Sequence, residues 1–131
     1  KSNVLFEYEI VRYPTDVEIS PMGKNVTIGM VTDVWNLRFG IVPVGGSGKR
    51  IVSVRNLGDK IVKVRIEIYG NITPLITFNK NNFFLKPGKD EMIEFYVKPS
   101  HTTLVGFYNG EIDIISEKPK LDFIYKLWGV E

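Results

Sequence analysis

A chain of 131 residues with a net charge of +2 has room for one domain around a single core and too little for two. Its 17 Lys and Arg are interspersed with 15 Asp and Glu, so no concentrated positive field directs it to nucleic acid. With no cysteine and one histidine, His101, disulfides, thiol nucleophiles, cysteine metal sites and most histidine-based zinc sites are excluded.

The dominant signal along the chain is alternation with a period of two, which puts successive side chains on opposite faces of a strand. Val4, Phe6, Tyr8 and Ile10 share one face, with Glu7 and Glu9 on the other; Val17 and Ile19 repeat the pattern before Pro21. Val26, Ile28 and Met30 follow, then Leu37, Phe39 and Ile41. Lys60 to Tyr69 is the clearest strand, with Val62, Val64, Ile66 and Ile68 opposed to Lys63, Arg65 and Glu67. Ile93, Phe95 and Val97 alternate with Glu94, Tyr96 and Lys98, and Tyr108, Gly110, Ile112 and Ile114 alternate with Asn109, Glu111 and Asp113. Leu121, Phe123, Tyr125 and Leu127 predict a final strand over 121–128. No window carries a sustained three-to-four spacing, so no long helix is expected.

Turn residues punctuate these runs at Pro21-Met22-Gly23, Gly45-Gly46-Ser47-Gly48, Asn56-Leu57-Gly58-Asp59, Lys86-Pro87-Gly88-Lys89 and Lys118-Pro119-Lys120. About eight or nine short strands at that spacing predict an all-β, antiparallel β-sandwich spanning 1–131. The run Gly45 to Arg50 resembles a phosphate-binding loop only superficially. Pro43 stands where the first glycine is needed and Arg50 where a hydroxyl must reach Mg²⁺, and the β-branched alternation of Ile51, Val52 and Val54 replaces the helix such a loop opens into.

Leu37-Arg38-Phe39-Gly40-Ile41-Val42-Pro43-Val44-Gly45, the turn Asn56-Leu57-Gly58-Asp59, and the later phrases Phe83-Phe84-Leu85-Lys86-Pro87-Gly88, Val97-Lys98-Pro99 and Gly106-Phe107-Tyr108-Asn109-Gly110 form a cadence. It resembles the immunoglobulin-like modules related to major sperm protein and Hydin, and the repeated modules of archaeal surface proteins. The resemblance covers residues 37–116, leaving 1–36 as additional N-terminal strands and 121–128 as the final strand. Its motifs are turn and core positions, so it implies an immunoglobulin-like sandwich more than an activity. In this reading Asn56 and Gly58 supply left-handed turn angles, Pro87 and Gly88 a turn, and Gly110 a close approach of neighbouring backbone.

Chemistry-bearing residues are sparse. His101 lies beside Ser100 in a polar segment, the carboxylate pairs Glu7/Glu9 and Glu111/Asp113 share strand faces at a spacing that suits glycosidase roles, and Phe78 to Phe84 interleaves aromatic, basic and amide groups as a sugar or single-strand platform would. Solvated strand faces and a connecting loop account for the same residues, so no catalytic, metal or cofactor site is expected. Val42, Met92, Ile115, Ile124 and Trp128 are expected to point outward as contact residues, Trp128 unless the N-terminal segment packs over it. Asn25-Val26-Thr27 and Asn71-Ile72-Thr73 are glycosylation sequons.

The leading expectation is a non-enzymatic interaction module of an extracellular archaeal surface protein. An envelope-anchoring component of a surface filament, an archaellum or pilus accessory that grips the surface layer, is its specific form. Its partner would be a surface-layer or filament protein, or a second copy joined through a strand edge or outward apolar face. No run reaches the roughly 18 apolar residues of a spanning helix, so membrane attachment is expected only through a segment preceding Lys1. The alternatives are an intracellular scaffold domain of the sperm-protein and Hydin type, and a carbohydrate-binding module.

Overall fold

The computed structural model describes residues 6–21, 37–121, 124, 127 and 128. Eight strands occur among them: β1 (Phe6–Ser20), β2 (Leu37–Pro43), β3 (Gly48–Arg55), β4 (Val62–Tyr69), β5 (Ile76–Phe78), β6 (Phe83–Leu85), β7 (Asp90–Val97) and β8 (Gly106–Pro119). They form two sheets, ordered β2-β1-β8-β4-β6 and β3-β7-β5, and the chain is an all-β sandwich. Every pairing is antiparallel except β1 with β2, which is parallel and departs from the fully antiparallel expectation.

The alternation places the core. In β4, Val62, Val64 and Ile66 are buried while Lys63 and Arg65 are only partly covered. Ile93, Phe95 and Val97 of β7 oppose them from the second sheet, and Phe39, Val17, Ile19 and Ile112 complete a single cluster between the sheets. Full burial of each such side chain contributes about 1.5–3 kcal/mol of apolar transfer.

Two strands break the sequence pattern for identifiable reasons. β1 is one 15-residue strand that passes through Pro14 rather than two short ones. Pro14 precedes the point where β2 begins to pair, so it occupies an edge position at which a missing N–H is tolerated. In β2, Gly40 adopts φ 71° and the register with β1 slips, so that Phe39 and Gly40 together oppose Val17. This bulge reverses the phase. Ile41, expected inside, is 41% exposed, and Val42, expected outside, is fully buried.

The segment after β8 also differs. Trp128 N–H donates to Ile124 O at 3.0 Å and Ile124 N–H to Leu121 O at 3.2 Å, so helical turns replace the expected final strand. The phase inverts with the period: Ile124 is 4% exposed, whereas Leu121 and Leu127 lie on the surface. The strand expected around Val26, Ile28 and Met30 falls outside the described residues, as does the Asn25 sequon.

The turns are held by specific bonds. Gly110 lies so close to β4 that a Cβ there would stand 1.9 Å from Tyr69 O, which confirms the expected close approach. Asn56 and Gly58 do not take left-handed angles. Asn56 instead works through its side chain: Nδ2 donates to Lys60 O and Leu85 O, and Oδ1 accepts from Gly58 N–H. The glycine loop of residues 45–48 is a tight turn, with Gly46 N–H donating to Pro43 O and Gly45 N–H to Pro99 O, so both amides are committed within the fold.

Candidate functional site: an exposed apolar surface

The outer face of the five-stranded sheet carries the carboxylate pair Glu111 and Asp113. Arg12 on β1 faces Asp113 on β8, and its Nε and Nη2 each donate to Asp113 at 2.8 Å. Nε also lies 2.8 Å from Glu111 Oε2, so one guanidinium spans the carboxylate pair that suggested glycosidase chemistry. The bond to Asp113, followed by the charges of Asp113 and Glu111, raises the Arg12 pKa and keeps the cation in place. Asp113 is 2% exposed under this cover. The pair is thereby built into the sheet as an ionic tie. Glu7 and Glu9 project from the opposite face of β1, across from Lys118 and Ser116, and remain exposed.

The other candidate chemistry is also occupied structurally. Ser100 Oγ contacts the hydroxyls of Thr102 and Thr103, while His101 packs where a Cβ on Gly45 would meet its ring at 3.3 Å. Within Phe78 to Phe84, Phe78 leans on Phe95, Asn79 Oδ1 accepts from Glu94 N–H, and Asn81 Oδ1 accepts from Ile66 N–H. Lys80 pairs with Glu91 at 2.6 Å. These amides extend the ladders of both sheets as the chain crosses between them. Among the described residues no group of His, Asp and Glu is arranged to hold a metal ion.

Of the five expected contact residues, three are inside. Val42 is turned in by the Gly40 bulge. Ile115 is 3% exposed on the outer sheet face and Ile124 is 4% exposed in the C-terminal turn. Trp128 is half-buried, stacked on Phe6 at 5.9 Å and tilted against Phe84 at 5.1 Å. The N-terminal segment therefore does pack against it, and Phe6 and Tyr8 serve this outer cluster rather than the main core. Double replacement of Phe6 and Trp128 by alanine is expected to show a coupling of about 0.5–1.5 kcal/mol in a thermodynamic cycle, measured by urea unfolding. Met92 alone is exposed as expected, at 55% on the outer face of the three-stranded sheet.

On that second face, Arg55 makes a two-pronged bond to Asp90, which lowers the Asp90 pKa; Glu94 is lowered by the Tyr96 hydroxyl that donates to it. A depressed folded pKa contributes stability above the unfolded value and loses it as pH falls through the folded one. The urea midpoint is therefore expected to fall on acidification below about pH 4, with a shallower decline in Arg55→Gln.

One exposed apolar stretch is not revealed by the periodicity. Leu104 and Phe107 are each 78% exposed and Val105 is 56% exposed, where the chain enters β8. Phe107 pairs across with Glu18 of β1, and Glu18 with Ile41 of β2, so Phe107, Glu18 and Ile41 form one row across the outer face. Tyr108 Oη donates to Leu104 O at 2.7 Å and Ser100 N–H donates to Thr103 Oγ1 at 3.0 Å, bonds that order the approach to this row. The available sequence signal was Leu104-Val105-Gly106-Phe107, an apolar run directly after a polar turn. Comparison of the chain with protein-family models, curated proteins and solved structures finds no match.

Proposed function

We propose that this chain is a non-enzymatic protein-interaction module of an extracellular archaeal surface protein, such as an envelope-anchoring component of a surface filament that binds the surface layer. The observation that carries the reading is the exposed apolar stretch of Leu104, Val105 and Phe107 at the entry to β8, with exposed Ile41 in the same cross-strand row as Phe107. Contiguous apolar surface on an ordered framework marks a contact site for another macromolecule. The turn and core phrases of residues 37–116 supply the resemblance to archaeal surface modules, and the exposed Asn71 of the Asn71-Ile72-Thr73 sequon suits an outside location. In this reading the module belongs to a membrane-tethered protein.

Asn71 Oδ1 accepts from Asn109 N–H at 2.8 Å, a bond that a glycan on Nδ2 would leave intact. The test is co-sedimentation with surface-layer sheets isolated from the organism that encodes the chain. Wild type is expected in the pellet and Phe107→Ser in the supernatant. Wild type remaining in the supernatant would refute the reading.

A further inference from the structure

We propose that the row Ile41–Glu18–Phe107, with Leu104 and Val105 beside it, recognises a protein segment that presents an Arg or Lys between apolar side chains. This deepens the interaction reading and rests on it. The row has an apolar side chain at each end and a half-buried carboxylate at its centre. Among the described residues the Glu18 carboxylate has no ion pair and no side-chain hydrogen bond, whereas Asp16 in the next row has Arg38 at 3.7 Å. A carboxylate held between Phe107 and Ile41 would lose water when an apolar partner covers the row, and an unpaired buried charge is costly. A cation on the partner removes that cost, and the flanking Phe107 and Ile41 accept its apolar neighbours.

The same charge discriminates among occupants. Two copies docked about a two-fold axis through this row would bring Glu18 against its own equivalent, a like-charge contact that disfavours self-association. An anionic lipid surface would meet the Glu18 carboxylate with the wrong sign. The surface is also presented at low ordering cost. Gly40 fixes Ile41 outward through the bulge, and the Tyr108 bond to Leu104 O holds the strand entry.

The experiment selects a random peptide library displayed on phage against the immobilised chain, with affinities of recovered peptides measured by fluorescence anisotropy. Recovered peptides are expected to carry Arg or Lys bracketed by apolar residues, and to lose about tenfold or more in affinity for Phe107→Ser. Selection on Glu18→Arg is expected to replace the basic residue with Asp or Glu. Phe107 is exposed and Glu18 half-buried, and an unchanged urea midpoint establishes that each variant is folded. Peptides whose affinity is indifferent to Phe107→Ser and Glu18→Arg would overturn this surface while leaving the interaction reading on another face. Failure to enrich any peptide on the folded chain would count against both. Dimers in sedimentation, or flotation with phosphatidylglycerol vesicles, either one abolished by Phe107→Ser, would overturn the proposal in favour of a second copy or a membrane.

Discussion

Gly110→Ala is expected to cost about 3–5 kcal/mol, a large part of the stability of a domain this size. The added Cβ would stand 1.9 Å from Tyr69 O and 2.9 Å from Ile72 Cγ2, and the first of these is backbone. A flexible side chain can swing aside, but Tyr69 O belongs to β4, which is paired with β8 from Lys63 to Tyr69. Relief of the clash would therefore part the two central strands where Ile72 N–H donates to Asn109 O. Gly40→Ala is the control. Gly40 also has a positive φ, 71°, but a Cβ there meets nothing within 4 Å, so only the left-handed strain remains, about 1–2 kcal/mol. Urea unfolding followed by tryptophan fluorescence separates the two. Equal midpoints for Gly110→Ala and Gly40→Ala would show that β4 and β8 are not so closely apposed.

Asn56→Ala is expected to lose about 2–4 kcal/mol, because it takes a donor from the buried Leu85 carbonyl and from the part-buried Lys60 carbonyl, and a buried acceptor that loses its donor carries a penalty of roughly 1–3 kcal/mol. Asn56 is 6% exposed, and its side-chain amide donates to Lys60 O at 2.8 Å and Leu85 O at 2.9 Å. Its backbone adds two more ties, N–H to Lys89 O and carbonyl from Gly88 N–H, which survive the substitution. The side chain thus joins the β3–β4 turn to the end of β6. Asn56→Asp is the sharper variant. It keeps the acceptor for Gly58 N–H but turns a carboxylate toward two carbonyl oxygens, so it is expected to be no more stable than Asn56→Ala at neutral pH. A midpoint for Asn56→Asp close to wild type would remove the donor role assigned to Nδ2.

The sandwich was legible because period-two alternation runs through Val62, Val64 and Ile66 of β4 and Ile93, Phe95 and Val97 of β7, and all six face a single core. Gly110 was legible for a related reason: a glycine inside an alternating strand signals close backbone contact. The contact surface was not, and for Ile41 the cause lies in one particular residue. Gly40 inserts a bulge that exchanges the faces of Ile41 and Val42, and nothing in an alternation pattern announces a register slip against a partner strand that is distant in sequence. Alternation along their own segments places Ile115 and Ile124 on the surface. β8 is covered on both faces through Ile112 to Ile115, and the residues after it form helical turns rather than a strand. The ionic tie of Arg12 to Asp113 likewise depends on a pairing across 101 positions. Asn56 reads as a turn residue in the sequence, but it acts through side-chain bonds rather than through a left-handed backbone.

Amide hydrogen exchange of the chain, with and without isolated surface-layer sheets, tests the assignment of function to the Phe107 end of the sandwich. Binding there predicts added protection confined to residues 38–43 and 103–109, with the Phe78–Phe84 segment and the Met92 face unchanged. Protection centred on Phe78–Phe84 instead, or no protection anywhere in the presence of the sheets, would contradict it.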